Sequence, residues 1–211
     1  MADRTVARRR HRPAHCLARD SEWRPPLLVR FSAGDAGAWL VDSIAPIVGE
    51  SLPPASHVAV LEGPAVAVPH APHAWALSGV VSSLKYATRA DVTAMNAKGQ
   101  PATCSRAEDT LAALIPIRKS EAWWALTQDE RMGVMRAGAH FELGTEYLPA
   151  VARRLHHCRE LGAAQPFDFL TFFTYAPAEA GRFDEMLRRL RATPEWAYVE
   201  REVDVRLHLA V

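Results

Sequence analysis

Apolar residues along the chain recur at two spacings, and together these predict an ordered series of short elements. Leu27 to Phe31 is an apolar run that predicts a strand, and His57 to Leu61 predicts a second. Between them Ala36 to Glu50 reads as a helix, with Pro46 opposing its second half. Glu62 to His73 holds Pro64, Pro69 and Pro72 and predicts a loop, because proline cannot donate into a strand ladder. Ala76 to Tyr86, with Leu77, Val80, Val81 and Leu84, predicts a long strand. Residues 88 to 109 are polar, carry Gly99 and Pro101, and predict one or two helical turns around Ala90 to Ala97.

The pattern is sharper beyond residue 109. Thr110 to Ile117 predicts an apolar strand, and Ser120 is placed to cap a helix over Glu121 to Arg136 through its hydroxyl. Gly144 to Gly162 reads as a further helix: Leu148, Val151, Leu155 and Cys158 recur at spacings of three and four, and a glycine ends the run. Phe167 to Tyr175 is dense in aromatic and β-branched residues and predicts a strand. Pro177 to Thr193 predicts an amphipathic helix with Phe183, Met186, Leu187 and Leu190 on one side. Trp196 to Leu209 alternates with period two, placing Val199, Val203, Val205 and Leu207 opposite Tyr198, Glu200, Glu202 and Asp204.

In order, these elements give two βαβ-type halves and so an α+β protein of two ferredoxin-like units with antiparallel sheets that join into a barrel. The expected organisation is a basic extension over 1–24, an N-terminal half over 25–109 and a C-terminal half over 110–211. No residue-level repeat links the halves, so the duplication is a matter of pattern.

Composition narrows the function classes. With 25 Lys+Arg against 24 Asp+Glu in 211 residues the net charge is +1, too small a field for a protein held by nucleic-acid phosphates. A hydrophobic fraction of 49%, with Gly 11 and Pro 15, excludes collagenous and disordered chains. Cys16, Cys104 and Cys158 are an odd, scattered set, which argues against a disulfide framework and for a reduced, cytoplasmic setting. Arg4, Arg8, Arg9, Arg10 and Arg12 form a basic tail read as a solvated arm, with a nucleic-acid or membrane-surface contact as the alternative. No secretory apolar stretch follows the tail, and no run long enough to span a bilayer occurs, so neither membrane nor nucleic acid is expected as a partner.

Three common enzyme templates are absent: GxxxxGK[ST], GxSxG and HExxH. What remains is His140 and the pair His156-His157. On a helix, adjacent residues point about 100° apart, so only one of the pair could face a given interior site. A lone histidine near a helix C-terminus is more often solvated or dipole-stabilised than a ligand. Trp123 and Trp124 read as core aromatics.

Five ordered blocks change this picture. Ala113-Leu-Ile-Pro-Ile-Arg-Lys-Ser-Glu-Ala-Trp-Trp124, Gly144-Thr-Glu-Tyr-Leu-Pro-Ala150, Leu155-His-His-Cys-Arg-Glu-Leu-Gly162, Phe167-Asp-Phe-Leu-Thr171 and Glu195-Trp-Ala-Tyr-Val-Glu-Arg-Glu-Val-Asp204 together resemble the chlorite dismutase family, in its short members. The resemblance covers about residues 110 to 208. It implies a dimeric α+β barrel of ferredoxin-like repeats, with a homopentamer as the other assembly of the family, binding haem b in the C-terminal half. It further implies His157 as axial iron ligand, with His156 as the alternative, and Glu202 or Glu200 as the carboxylate that supports it. Arg118 and Lys119 are the expected partners of the haem propionates.

Chlorite-decomposing members carry an arginine on the distal haem face, and the same alignment puts Phe172 at that position. Phenylalanine cannot hold an oxyanion. The expectation is therefore a haem oxidoreductase, peroxidase-like or acting on a small molecule in an apolar distal pocket, with weak or no chlorite chemistry. Two alternatives stay open: true dismutation of chlorite to chloride and dioxygen, and a non-enzymatic haem carrier, sensor or other small-molecule-binding barrel.

Overall fold

Strands dominate the first half. The structure, a computed structural model, describes residues 27–63, 66, 72–81, 88–98, 106–161 and 165–210. The basic extension, part of the 62–73 loop, the far end of the strand expected over 76–86 and residues 99–105 lie outside the described residues. The strands are β1 (Leu28–Gly34), β2 (Trp39–Val48), β3 (His57–Glu62) and β4 (His73–Val81), followed by α1 (Arg89–Ala97). The second half runs β5 (Leu111–Lys119), α2 (Glu121–Ala125), α3 (Gln128–Ala137), α4 (His140–Glu146), β6 (Val151–His157), β7 (Phe169–Tyr175), α5 (Ala180–Arg191) and β8 (Val199–Leu209).

The eight strands close into a barrel in the order β1-β3-β2-β8-β5-β7-β6-β4, with every neighbouring pair antiparallel. Read around the ring, each half has the order 4-1-3-2, which is the ferredoxin-like order and bears out the expected duplication. Inside the ring lie Val29, Phe31, Trp39, Val58, Leu77, Leu114, Leu170, Phe172, Val203, Val205 and Leu207. A second cluster covers the outer face of the C-terminal sheet, where α4 and α5 set Leu143, Tyr147, Phe183, Met186, Leu187 and Leu190 on Ala113, Ile115, Ile117, Val151, Phe173 and Tyr175. Alternation along each strand sorts its side chains between these two compartments.

Three expected elements differ. Ala36 to Glu50 is not a helix but strand β2, paired along its length with β8 and touching β3 only at Trp39↔Val58 and Leu40↔His57. The chain steps past the start of β3 and continues in the direction of β1, so no crossover helix is needed. Gly37 marks the crossing: a Cβ there would lie 2.4 Å from the Val58 carbonyl. The helix expected over 121–136 is broken into α2 and α3. The Ser120 hydroxyl makes no capping bond, whereas Thr127 and Glu130 close a capping box on α3.

The third difference matters most for function. Gly144 to Gly162 is not one helix: α4 ends at Glu146, Pro149 follows, and residues 151–157 form β6 between β7 and β4. His156 and His157 therefore sit on a strand and point to opposite faces. Among the described residues, no helix is long and apolar enough to cross a membrane.

Candidate functional site

Alternation in β6 puts Ala152, Arg154 and His156 on the barrel-interior side and Val151, Arg153, Leu155 and His157 on the outer side, under the helices. His156 is fully buried in the barrel; its Nδ1–H donates to the Leu170 carbonyl at 2.9 Å and its ring meets Phe31 edge-on at 5.2 Å. Burial pulls its pKa down to about 4, so it is neutral at physiological pH. On the outer side His157 is 5% exposed and packs edge-on against Phe169, which in turn stacks on Trp124.

Phe172 follows the same parity. It is paired in register with Arg154 and Leu114, lies inside the barrel, and contacts Phe31 at 5.4 Å and Trp39 at 5.7 Å. It faces away from the helical side of the sheet, so position 172 does not line a site between sheet and helices.

The other residues expected from sequence are also engaged elsewhere. Glu202 is fully buried, but its oxygens accept from Arg191 Nε at 2.9 Å and Trp196 Nε1 at 2.7 Å, tying α5 and the turn after it to β8. Glu200 is exposed, and its carboxylate lies 3.8 Å from the half-exposed Arg118. Lys119 is 4% exposed, so its ammonium has no free path to an anion at a pocket mouth.

Lys119 instead belongs to a buried chain of polar groups. Its Nζ donates to Glu195 Oε1 at 2.8 Å and stands over the Trp123 ring at 4.7 Å and the Trp196 ring at 5.4 Å. The other oxygen of Glu195 lies 2.7 Å from Nδ1 of His140, the first residue of α4. Burial pushes the Glu195 carboxyl upward, but His140 and the Lys119 ammonium outweigh it and hold the pKa at about 2. Burial also pushes the Lys119 ammonium below its ordinary range, against the pull of Glu195. An ionised carboxylate on Nδ1 fixes the imidazole ring and leaves Nε2 as the atom able to bind a metal.

The backbone at this point is strained. Ala139, immediately before His140, has a φ of 51°, a left-handed conformation that costs a non-glycine residue on the order of 1 kcal/mol. Gly144 is four residues beyond His140 on α4 and so shares its face. Against Gly144 lies the guanidinium of Arg153, from the outer side of β6. Part of the Arg153 side chain still meets solvent, yet its head group is deep enough that desolvation brings its pKa down to about 10. An imidazole–carboxylate–ammonium chain and a desolvated guanidinium thus meet one face of one short helix.

His140 is visible in the sequence as a histidine, but nothing in its neighbourhood marks it out. The signal is Glu195, a carboxylate 6% exposed that only the folded chain brings to it. Arg153 is hidden as one of two adjacent arginines in a stretch whose apolar spacing imitates a helix.

A family model described as chlorite dismutase matches residues 65–208. The chain is similar to a dimeric chlorite dismutase of Nitrobacter winogradskyi, at 48% identity and a TM-score of 0.77, covering 86% of this chain and 99% of that one. The chlorite dismutase of Candidatus Nitrospira defluvii in complex with imidazole is 16% identical, with a TM-score of 0.55 over 86% of this chain and 90% of that one, a likeness of fold alone. A chlorite dismutase of Ideonella dechloratans is 28% identical over 122 residues, 58% of this chain and 40% of that protein. The chain thus spans less than half the length of this curated relative.

Proposed function

The chain belongs to the chlorite dismutase family, and from that premise we propose that it is a haem b-dependent oxidoreductase, working as a homodimer, that converts chlorite to chloride and dioxygen. The observation that carries the reading is the chain His140–Glu195–Lys119, set on the face of α4 that Arg153 also meets.

The residues fit the cofactor. Haem b needs a nitrogen for its iron, apolar walls and, for an anionic substrate, a cation. His140 would hold the iron through Nε2, in place of His157. The Glu195 carboxylate on Nδ1 orients that imidazole, and Lys119 helps to keep the carboxylate ionised in a buried setting. Leu155 and Phe169 on the outer face of the sheet supply apolar wall. When bound, haem supplies the iron that exchanges oxygen and electrons with the oxyanion. Arg153 holds chlorite through charge-assisted N–H donors, which a planar guanidinium presents in pairs.

Placing the distal cation at Arg153 removes the reason for expecting weak chlorite chemistry, because that expectation rested on Phe172. The dimeric Nitrobacter relative at 48% identity supports the homodimer.

Protein reconstituted with haem b is expected to give a Soret band that His140→Ala abolishes or strongly shifts and His157→Ala preserves. Wild-type protein should release dioxygen from chlorite, and Arg153→Ala should lower kcat/KM at least about tenfold. An unchanged band in His140→Ala, or its loss in His157→Ala alone, overturns the ligand assignment.

A further inference from the structure

We propose that Gly138 is a positioning residue: the side chain it lacks lets the start of α4 lie against the turn after α5, and so sets the approach of His140 to Glu195. This rests on the reading of His140 as the residue that holds the iron.

Gly138 and Thr193 stand in matching places, each two residues ahead of one member of the pair, and here the two segments touch. A Cβ added at Gly138 would lie 2.8 Å from Cβ and 3.2 Å from Cγ2 of Thr193, and 3.3 Å from Cδ of Pro194. Ordinary contact begins at 3.4 Å, so the segments would have to part by about 0.6 Å. Nδ1 of His140 and the Glu195 carboxylate are 2.7 Å apart, and a change of that size takes them out of the range of a charge-assisted N–H···O contact.

Conformation gives no reason for glycine here. A glycine that ends a helix commonly supplies a positive φ, yet Gly138 has φ −89° and ψ 2°, dihedrals that Tyr147 and Ala192 nearly share. What Gly138 supplies is space.

The Thr193 side of the contact is fixed. Thr193 is buried, its amide and hydroxyl both donate to the Leu190 carbonyl, at 3.0 and 2.8 Å, and its own carbonyl accepts from the Trp196 amide at 3.0 Å. Glu195 cannot follow a displaced His140, because the Lys119 ammonium holds its other oxygen. On the Gly138 side only Ala139, with its positive φ, stands between the glycine and His140, so a displacement passes to the imidazole. The contact lies between the segments that Nδ1 and the carboxylate join. Iron is held through the other ring nitrogen, so the cofactor does not come between them.

The test uses the haem-loaded protein and reads the midpoint potential of its iron and the ferrous iron–histidine stretch by resonance Raman. A carboxylate behind the imidazole favours the ferric over the ferrous state, because its negative charge stabilises the higher positive charge. Gly138→Ala is expected to shift that balance toward ferrous iron about fivefold, a rise of about 40 mV, and to lower the stretching frequency. Gly133→Ala, the same change on α3 where a Cβ meets nothing within 4 Å, should alter neither reading. In a Glu195→Gln background Gly138→Ala should change the balance less than about twofold, since there is no charge left to displace. The double variant Gly138→Ala/Thr193→Gly moves the missing side chain to the other partner. It should return the potential to that of Thr193→Gly alone, whether or not Gly138→Ala is stable by itself. If Glu195→Gln raises the potential and Gly138→Ala does not, the positioning role is overturned while the role of the carboxylate stands. If Glu195→Gln leaves the potential unchanged, the underlying reading of His140 falls. An equal effect of Gly138→Ala with and without Glu195, or a double variant that keeps the altered potential, also overturns the proposal.

Discussion

The ammonium of Lys119 lies 2.8 Å from a carboxylate oxygen of Glu195, and both side chains are almost fully buried, at 3% and 8% exposure. Such a pair contributes little net stability when intact but leaves an uncompensated charge when halved. Lys119→Met is therefore expected to destabilise the fold by about 3 kcal/mol in urea unfolding. It should also move acid unfolding to higher pH. With a folded pKa of about 2 against an ordinary 4.5, Glu195 contributes stability that is present above pH 4.5 and lost as pH falls toward 2. Without the ammonium its folded pKa rises and that contribution shrinks. An acid midpoint identical to wild type would show that the ammonium does not hold the carboxylate down.

His156 gives a second, separable pH dependence. A neutral imidazole locked on the Leu170 carbonyl, with a folded pKa of about 4 against an ordinary 6.5, binds fewer protons folded than unfolded between those values. Stability is then full above pH 6.5 and falls as the pH drops toward 4. Between pH 7 and pH 5 the loss from this residue should be about 2 kcal/mol. His156→Leu should flatten the slope in this window, measured by urea midpoints at the two pH values. A slope unchanged in the variant would assign the effect to another group.

Phe172 allows a sharp check of which face is which. It is packed between Phe31 and Trp39 in the barrel interior, and its register partner on β6 is Arg154, so an added guanidinium would meet a like charge. Phe172→Arg should cost on the order of 3–5 kcal/mol or prevent folding, and should not raise dioxygen release from chlorite. A stable, more active variant would mean that position 172 faces the substrate after all.

The elements that were legible in the sequence are those whose own alternation decides them. β7 and α5 keep their apolar faces without reference to distant segments, and the order of blocks over residues 110 to 208 was enough to point to the family. β2 was not legible: Trp39, Val41, Ile44 and Ile47 suit either period, and its partner β8 lies at the far end of the chain. β6 misled because Leu148, Val151, Leu155 and Cys158 share a helical spacing by coincidence. Leu148 lies beyond α4 before Pro149, and Cys158 lies past the end of the strand, where its amide donates to Asp168. That one misreading carried the site with it. A helix would let His157 face inward alone, while a strand sends it and His156 to different compartments.

The alternation of β6 also acts as a check on its own alignment. Sliding the strand by one position against β7 would part Arg154 from Glu62 on the interior side, take Arg153 away from Gly144 and bring His156 off the Leu170 carbonyl and out beneath the helices. Neither neighbour could take the other's place without losing the partner its own side of the sheet provides. The two adjacent arginines and two adjacent histidines, easily confused in the linear text, are thus held in frame by the cost of exchanging them, and the strand admits one reading.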